Sequence, residues 1–218
     1  MITIIDYDLG NIGSIVNAFK KLGLITVVSK DSKTIVNSTA IILPGVGAAG
    51  EGMKNLNELG LINVIKDQIT KGKPFLGICL GMQLLFEKSE EGRVECLGIL
   101  KGKVIKFKKE KKIPQIGWNG IKLQNPKMKR SKEKEELLNQ IEEDSYFYFV
   151  NSYYCEPEDK SIIAGNTIYG EEFASIILKN NIVATQFHPE KSGEVGYKLL
   201  KNIFRYFNDL QSLELYIC

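Results

Sequence analysis

Over residues 1–90 the chain switches repeatedly between short apolar runs and stretches with helical spacing. Residues 1–5 form a buried-strand run that ends at Asp6. Ile12, Ile15, Val16 and Phe19 then recur on one helix face, with Gly23 as a stop. Runs at 25–28 and 40–43 read as further strands, Leu61, Val64, Ile65 and Ile69 as a helix stripe before Gly72, and 74–78 as a fourth strand leading into a helix over 81–87. A strand buried on both faces reads as a continuous apolar run, and its alternation with helices leaves little besides a parallel sheet covered on both sides. Such sheets place their sites at the carboxyl ends of the strands.

From residue 92 onward strands dominate, at 104–107, 113–123, 146–154, 162–168, 173–178 and 182–187. Asn180-Asn181 suits a tight hairpin between the last two, because Asn tolerates positive φ. A closing helix carries Leu199, Leu200, Ile203, Phe204 and Phe207. With no repeat and no linker, the expectation is one α/β domain over residues 1–218. It would have a mostly parallel central sheet flanked by helices and an antiparallel strand region in the second half.

Charge excludes more than it suggests. The net +3, from 29 basic against 26 acidic residues, is too small to imply nucleic acid. The run 101–112 reads as a lysine-guarded edge strand, and 127–134 followed by Glu135-Glu136 as a self-neutralising surface helix. The apolar run 74–86 is too short to span a membrane, and no export signal precedes the first strand. Cys79, Cys96, Cys155 and Cys218 lack paired spacing, which suits reduced thiols in a cytoplasmic protein.

Gly77-Ile78-Cys79-Leu80-Gly81 stands where an apolar strand gives way to a helix. Small residues on either side of a nucleophile permit the tight strand-to-helix turn that holds it exposed, and a helix start lowers a thiol pKa. The alternative is a buried structural cysteine between packing glycines. The N–H of Leu80 would face the same point as an oxyanion donor. The single histidine, His188, sits in Gln-Phe-His-Pro-Glu directly after the last strand. Pro189 biases His188 toward extended backbone, and Glu190 can then orient the imidazole from the same side. A metal site is disfavoured, because no second histidine exists and the cysteines do not cluster. Pro44-Gly45-Val46-Gly47 ends another strand, and its glycines can turn backbone N–H groups into the cleft toward an oxyanion. It lacks the Lys-Ser/Thr ending of a phosphate loop, and Asp8-Leu9-Gly10-Asn11 lacks the dinucleotide spacing. Cys79, His188 and Glu190 together imply acyl transfer from an amide through a thioester.

The blocks IIDYDLGNIGSI, LPGVGAAGEGM, PFLGICLGMQLLFEKSEEG, PQIGWNG, YFYFVNSYY and ATQFHPEKSG resemble, in order and over almost the whole length, the class I (triad-type) glutamine amidotransferases. Within them they resemble most the branch of glutaminase subunits of imidazole glycerol phosphate synthase. The resemblance implies L-glutamine as substrate, no cofactor, and Cys79, His188 and Glu190 as triad. It implies Val46-Gly47 as oxyanion loop, and Gln83, Glu91, Ser152 and Tyr153 around the amino-acid end of glutamine. Lys191, Trp118 and Asn119 would belong to the face docked on a (β/α)₈-barrel cyclase that consumes the ammonia in histidine biosynthesis. A paralogous subunit feeding a sugar-modifying synthase, and a stand-alone thiol hydrolase, are the alternatives. One departure is Asn151, where the branch usually has His before Ser-Tyr, at a position expected to flank the pocket and face the partner side. Trp118 is read equally as an interface or a core aromatic.

Overall fold

The computed structural model of the chain describes residues 1–109, 112–123 and 131–214. The first part comprises β1 (Ile2–Ile5), α1 (Ile12–Lys21), β2 (Thr26–Ser29), α2 (Ser32–Val36), β3 (Ala40–Leu43), α3 (Ala49–Glu58), α4 (Leu61–Thr70), β4 (Phe75–Ile78) and α5 (Leu80–Gln83). Then come β5 (Lys88–Ser89), β6 (Val94–Glu95), β7 (Gly102–Lys106), β8 (Gln115–Gly120), β9 (Lys122–Leu123) and α6 (Lys132–Leu137). The last part holds β10 (Tyr146–Asn151), β11 (Tyr153–Pro157), β12 (Ile163–Tyr169), β13 (Glu171–Lys179), β14 (Ile182–Thr185) and α7 (Gly193–Glu214).

The main sheet runs β2-β1-β3-β4-β14-β13-β11-β7-β5-β6, with β12 on β13 and β9 on β12. From β2 to β14 every pairing is parallel, and β13 then joins β14 antiparallel. This is the expected α/β fold with its antiparallel second half. Alternate strand residues enter two cores. Ile4, Ile42, Leu76 and Val183 pack with α1 and α7, while Ile5, Ile41, Phe75 and Ala184 pack with α3 and α4. Burial on both faces explains why these strands are apolar throughout. The whole stripe Leu199, Leu200, Ile203, Phe204 and Phe207 of α7 is buried. Asn180 adopts φ +51° at the β13–β14 hairpin.

Several local expectations are corrected. The helix over 81–87 is one turn, α5, because the carbonyls that would extend it bond elsewhere. Leu84, Leu85 and Phe86 oxygens accept from Leu97, from Ile99 and Leu100, and from Gly98. The strand 146–154 divides at Ser152: among the described residues β10 pairs only β8, in a separate two-stranded ribbon, and β11 enters the main sheet. The strand 113–123 divides likewise into β8 and β9, and the last strand stops at Thr185.

The run 101–112 is not an edge. β7 lies between β11 and β5, and carboxylates take amides beyond the short β5: Glu90 accepts from Lys106 N–H at 3.0 Å and Glu171 from Lys108 N–H at 3.1 Å. Its residues 110 and 111 lie outside the described residues. In the run 127–134, residues 127–130 also lie outside them. Lys134 is not a solvated surface residue: it is buried, its ammonium donating to the carbonyls of Ser161 and Ile163. Cys79, Cys96 and Cys155 are free thiols, and Cys218 lies outside the described residues. Among the described residues no helix is long and apolar enough to cross a membrane.

Candidate active site

The parallel strands converge on a cavity of about 240 Å³ at their carboxyl ends, lined by Val46, Gly47, Cys79, Leu80, Gln83, Glu91, Pro114, Val150, Asn151, Ser152 and Tyr153. It is smaller than the roughly 300–1,000 Å³ typical for drug-sized ligands, a size suited to one amino acid.

Cys79 caps α5 with φ +54° and ψ −106°, a strained conformation for a residue with a side chain. The turn is set by its neighbours. Cys79 N–H bonds the Thr185 carbonyl at 2.7 Å, and a Cβ on Gly81 would lie 1.9 Å from the Leu43 carbonyl oxygen. Only glycine lets α5 start this close to β3. The elbow turn read from the sequence is thus present, but its cysteine is buried rather than exposed, because the Val150 carbonyl and the Gln186 amide pack on the sulfur. Leu80 is the first residue of α5, so its N–H has no intrahelical acceptor.

His188 follows β14 in extended conformation, φ −98° and ψ 93°, as Pro189 imposes. Its Nδ1 lies 2.9 Å from Glu190 Oε1, both side chains almost fully buried. Nε2 of His188 and Oε2 of Glu190 have no hydrogen-bond partner among the described residues. With Nδ1 held by a carboxylate, Nε2 is the nitrogen free to exchange a proton.

Burial is the largest influence on the imidazole and pulls its pKa down. The Cys79 sulfur and then Glu190 outweigh it, and the value is pushed up from 6.5 to about 10. The folded value exceeds the unfolded one. The imidazolium therefore adds stability that is complete below about pH 6.5 and is lost as pH rises toward about 10. Urea unfolding across that range is expected to show a steeper loss of stability in the parent than in His188→Asn, and equal slopes would contradict the assignment.

The 44–47 loop is anchored at both sides. Tyr7 hydroxyl donates to the Pro44 carbonyl at 2.6 Å, and Glu91 Oε2 accepts from Ala49 N–H at 2.8 Å. Gly47 has φ +115°, in the region that favours glycine. Glu91 therefore caps α3, whose own N-cap, Ala48, has no capping side chain. One carboxylate oxygen of Glu91 is thereby committed to that amide. Gln83 is buried and donates from Nε2 to the Tyr153 carbonyl and to Gln186 Oε1, both at 3.1 Å.

Asn151 flanks the cavity, as expected, and is buried rather than on the ribbon's open face. Burial alternates along β10, and Asn151 falls on the inner side with Phe147 and Phe149. Its Nδ2 donates to the Tyr153 carbonyl at 3.0 Å, and its Oδ1 has no partner among the described residues. The outer side of the ribbon is apolar and open. Ile116 is 63%, Trp118 56% and Tyr146 60% exposed, and Val150 is exposed beside them. Trp118 is therefore not a core residue. Asn119 is committed to its own ribbon and to the Ile168 carbonyl, and Lys191 is half-buried after His188.

Sequence reading missed two features. Gln186, fully buried, places Nε2 3.6 Å from Cys79 Sγ, and only its place two residues before His188 hinted at this. The back of β10 touches both reactive groups. Val150 carbonyl lies 3.7 Å from Cys79 Sγ, and Tyr148 carbonyl accepts from His188 N–H at 2.9 Å. Among the described residues no three His, Cys, Asp or Glu side chains are grouped to hold a metal.

The family model described as "Glutamine amidotransferase class-I" matches residues 3–206. Imidazole glycerol phosphate synthase subunit HisH of Aquifex aeolicus (strain VF5) is 49% identical over 93% of this chain and 95% of its own length. The protein of the same name from Methanocaldococcus jannaschii is 46% identical over 93% and 97%. Among solved structures, one described as "Crystal structure of glutamine amidotransferase" shares the fold with a TM-score of 0.72 at 16% identity, over 96% of this chain and 98% of that one.

Proposed function

Because this chain belongs to the class-I glutamine amidotransferases, we propose that it is the glutamine-hydrolysing subunit of an imidazole glycerol phosphate synthase. The observation that carries the chemistry is the elbow cysteine beside a histidine whose Nδ1 is held by Glu190 and whose Nε2 is unpartnered. The histidine-pathway reading, as against a sugar-modifying synthase, is supported by the names of relatives 49% and 46% identical over nearly their whole length.

The Cys79 thiolate attacks the carboxamide carbon of glutamine, forming a C–S bond and placing charge on the carboxamide oxygen. The amides of Val46, Gly47 and Leu80 are the donors for that oxygen. His188 Nε2 then gives its proton to the nitrogen, the C–N bond breaks and ammonia leaves. Water donates a proton to Nε2 as its oxygen attacks the thioester, releasing glutamate and restoring the sulfur. Gln83, Glu91, Ser152 and Tyr153 line the part of the cavity that holds the amino-acid end. The raised His188 pKa fits this order, because the imidazolium is present at neutral pH before the leaving group needs its proton.

The partner is a (β/α)₈-barrel cyclase docked on the ribbon through Ile116, Trp118, Tyr146 and Val150, with Asn119 and Lys191 at the margin. This apolar face is the kind of surface that partners cover. Docking matters for ammonia, because confinement keeps it from being protonated in water. The test is ammonia release from glutamine by the chain alone and mixed with the cyclase of the same organism and its nucleotide ligand. Stimulation by that cyclase is expected, and none from a cyclase active with ammonium salts would contradict the pathway. Trp118→Ala is expected to weaken the complex about 30-fold, the size of an interface hot spot, while changing unfolding stability by less than about 0.5 kcal/mol. Unchanged affinity by titration calorimetry would remove Trp118 from the interface.

A further inference from the structure

Gln186 has no part in the steps above, yet its amide is wired between the cavity and the nucleophile. Its Oε1 accepts from Gln83 Nε2 at 3.1 Å, and its Nε2 lies 3.6 Å from Cys79 Sγ. The orientation of both amides follows from one backbone group. The Tyr153 carbonyl can only accept, so Gln83 must turn its NH₂ toward it. The second N–H of Gln83 then meets the Gln186 oxygen, which leaves the Gln186 NH₂ for the sulfur. The chain of donors runs one way, from Gln83 through Gln186 to Cys79. Both N–H groups of Gln83 are used, so its Oε1 is what it offers in the cavity it lines.

We propose that Gln186 is a positioning residue that donates a hydrogen bond to the Cys79 thiolate. Through Gln83 it also couples arrival of the substrate's ammonium group to readiness of that thiolate. This rests on the reading of Cys79 as nucleophile. As a thiol, Cys79 can donate to the Val150 carbonyl at 3.7 Å; as a thiolate it has nothing to give that oxygen and needs donors instead. The titratable groups facing it are His188, with Glu190 behind, and Tyr7 and Cys155 from β1's exit and β11. Burial first, and the nearby sulfur charge second, push the pKa of Tyr7 and of Cys155 well up, so both stay neutral. Among the side chains of the described residues, the imidazolium and the Gln186 amide are the groups that favour a negative sulfur, beside the backbone N–H groups at the start of α5. Hydrogen bonds to ionised acceptors are the stronger kind. An ammonium donating to Gln83 Oε1 polarises each amide in the direction that strengthens the last donation.

Two variants separate donation from packing. Gln186→Glu keeps the shape and the acceptor for Gln83 but removes the donor. Gln186→Met keeps the length and removes both. The first readout is iodoacetamide alkylation of Cys79 against pH, followed by mass on its peptide. The alkylation midpoint is expected to rise by about one pH unit or more in both variants. The second readout is glutamine turnover: kcat should fall about tenfold or more with KM changed less than about threefold. Unfolding transitions are measured alongside. If Gln186→Met does not fold, Gln186→Leu decides, because a carboxylate at 186 would raise the midpoint by its own charge. If neither folds, the alkylation midpoint of Gln83→Met, one link upstream, decides in the same direction. A folded variant with parental midpoint and parental kcat overturns the role of Gln186. If the parent hydrolyses glutamine while its Cys79 resists alkylation at every pH, the reading of Cys79 fails and the proposal falls with it.

Discussion

Cys79→Ser is expected to lower glutamine hydrolysis by at least about 10⁴-fold while leaving the thermal unfolding transition close to the parent's. The size of the loss follows from how much of the site is committed to sulfur. The residue is held at positive φ on a one-turn helix, and its side chain lies between the Val150 carbonyl and the Gln186 amide. The Cys79 sulfur is also the first of the influences that raise His188 to a pKa of about 10, and the substitution removes that influence along with the nucleophile. A serine hydroxyl does not ionise near neutral pH and is the weaker nucleophile in a site shaped around sulfur. Cys79→Ala should behave the same way. Ammonia release measures it, and retention of more than about a hundredth of the parental rate would contradict the assignment.

The second large effect is on folding. Gly81→Ala is expected to cost about 3 kcal/mol or more, seen as poor solubility or a strongly lowered unfolding temperature. The new Cβ would lie 1.9 Å from the Leu43 carbonyl oxygen. That oxygen belongs to β3, paired on both sides by β1 and β4, and cannot retreat without breaking the sheet centre. Gly50→Ala makes the matched comparison. It lies in α3, where a Cβ meets nothing within 4 Å, and should be neutral or stabilising by up to about 1 kcal/mol. If Gly81→Ala melted like Gly50→Ala, the close approach that shapes the elbow would not exist in solution.

Legibility in the sequence followed the range of the interactions involved. The doubly covered strands were readable because each is apolar by itself, and the elbow because its glycines flank the cysteine directly. The helix α3 was missed because its sequence, AGEGMKNLNE, carries two glycines near the start and takes its cap from Glu91, 42 residues away. The division at Ser152 was hidden because YFYFVN and YYCEP are equally strand-like. What separates them is pairing, to β8 in one case and to β7 and β13 in the other. Lys134 looked like one more solvated lysine, since the two carbonyls that hold it belong to residues 161 and 163. The outward turn of Trp118 likewise depends on the ribbon register, Tyr148 opposite Trp118, which no local pattern encodes.

In the proposed mechanism Cys79 carries the γ-glutamyl group between the two halves of the reaction. Rapid acid quench of the protein during turnover with glutamine, followed by mass analysis of the Cys79 peptide, tests it most directly. A peptide heavier by one γ-glutamyl group is expected, formed in the parent, absent in Cys79→Ser, and lost on treatment with hydroxylamine. Steady ammonia release with no adduct on Cys79, or with the adduct on another residue, would contradict it.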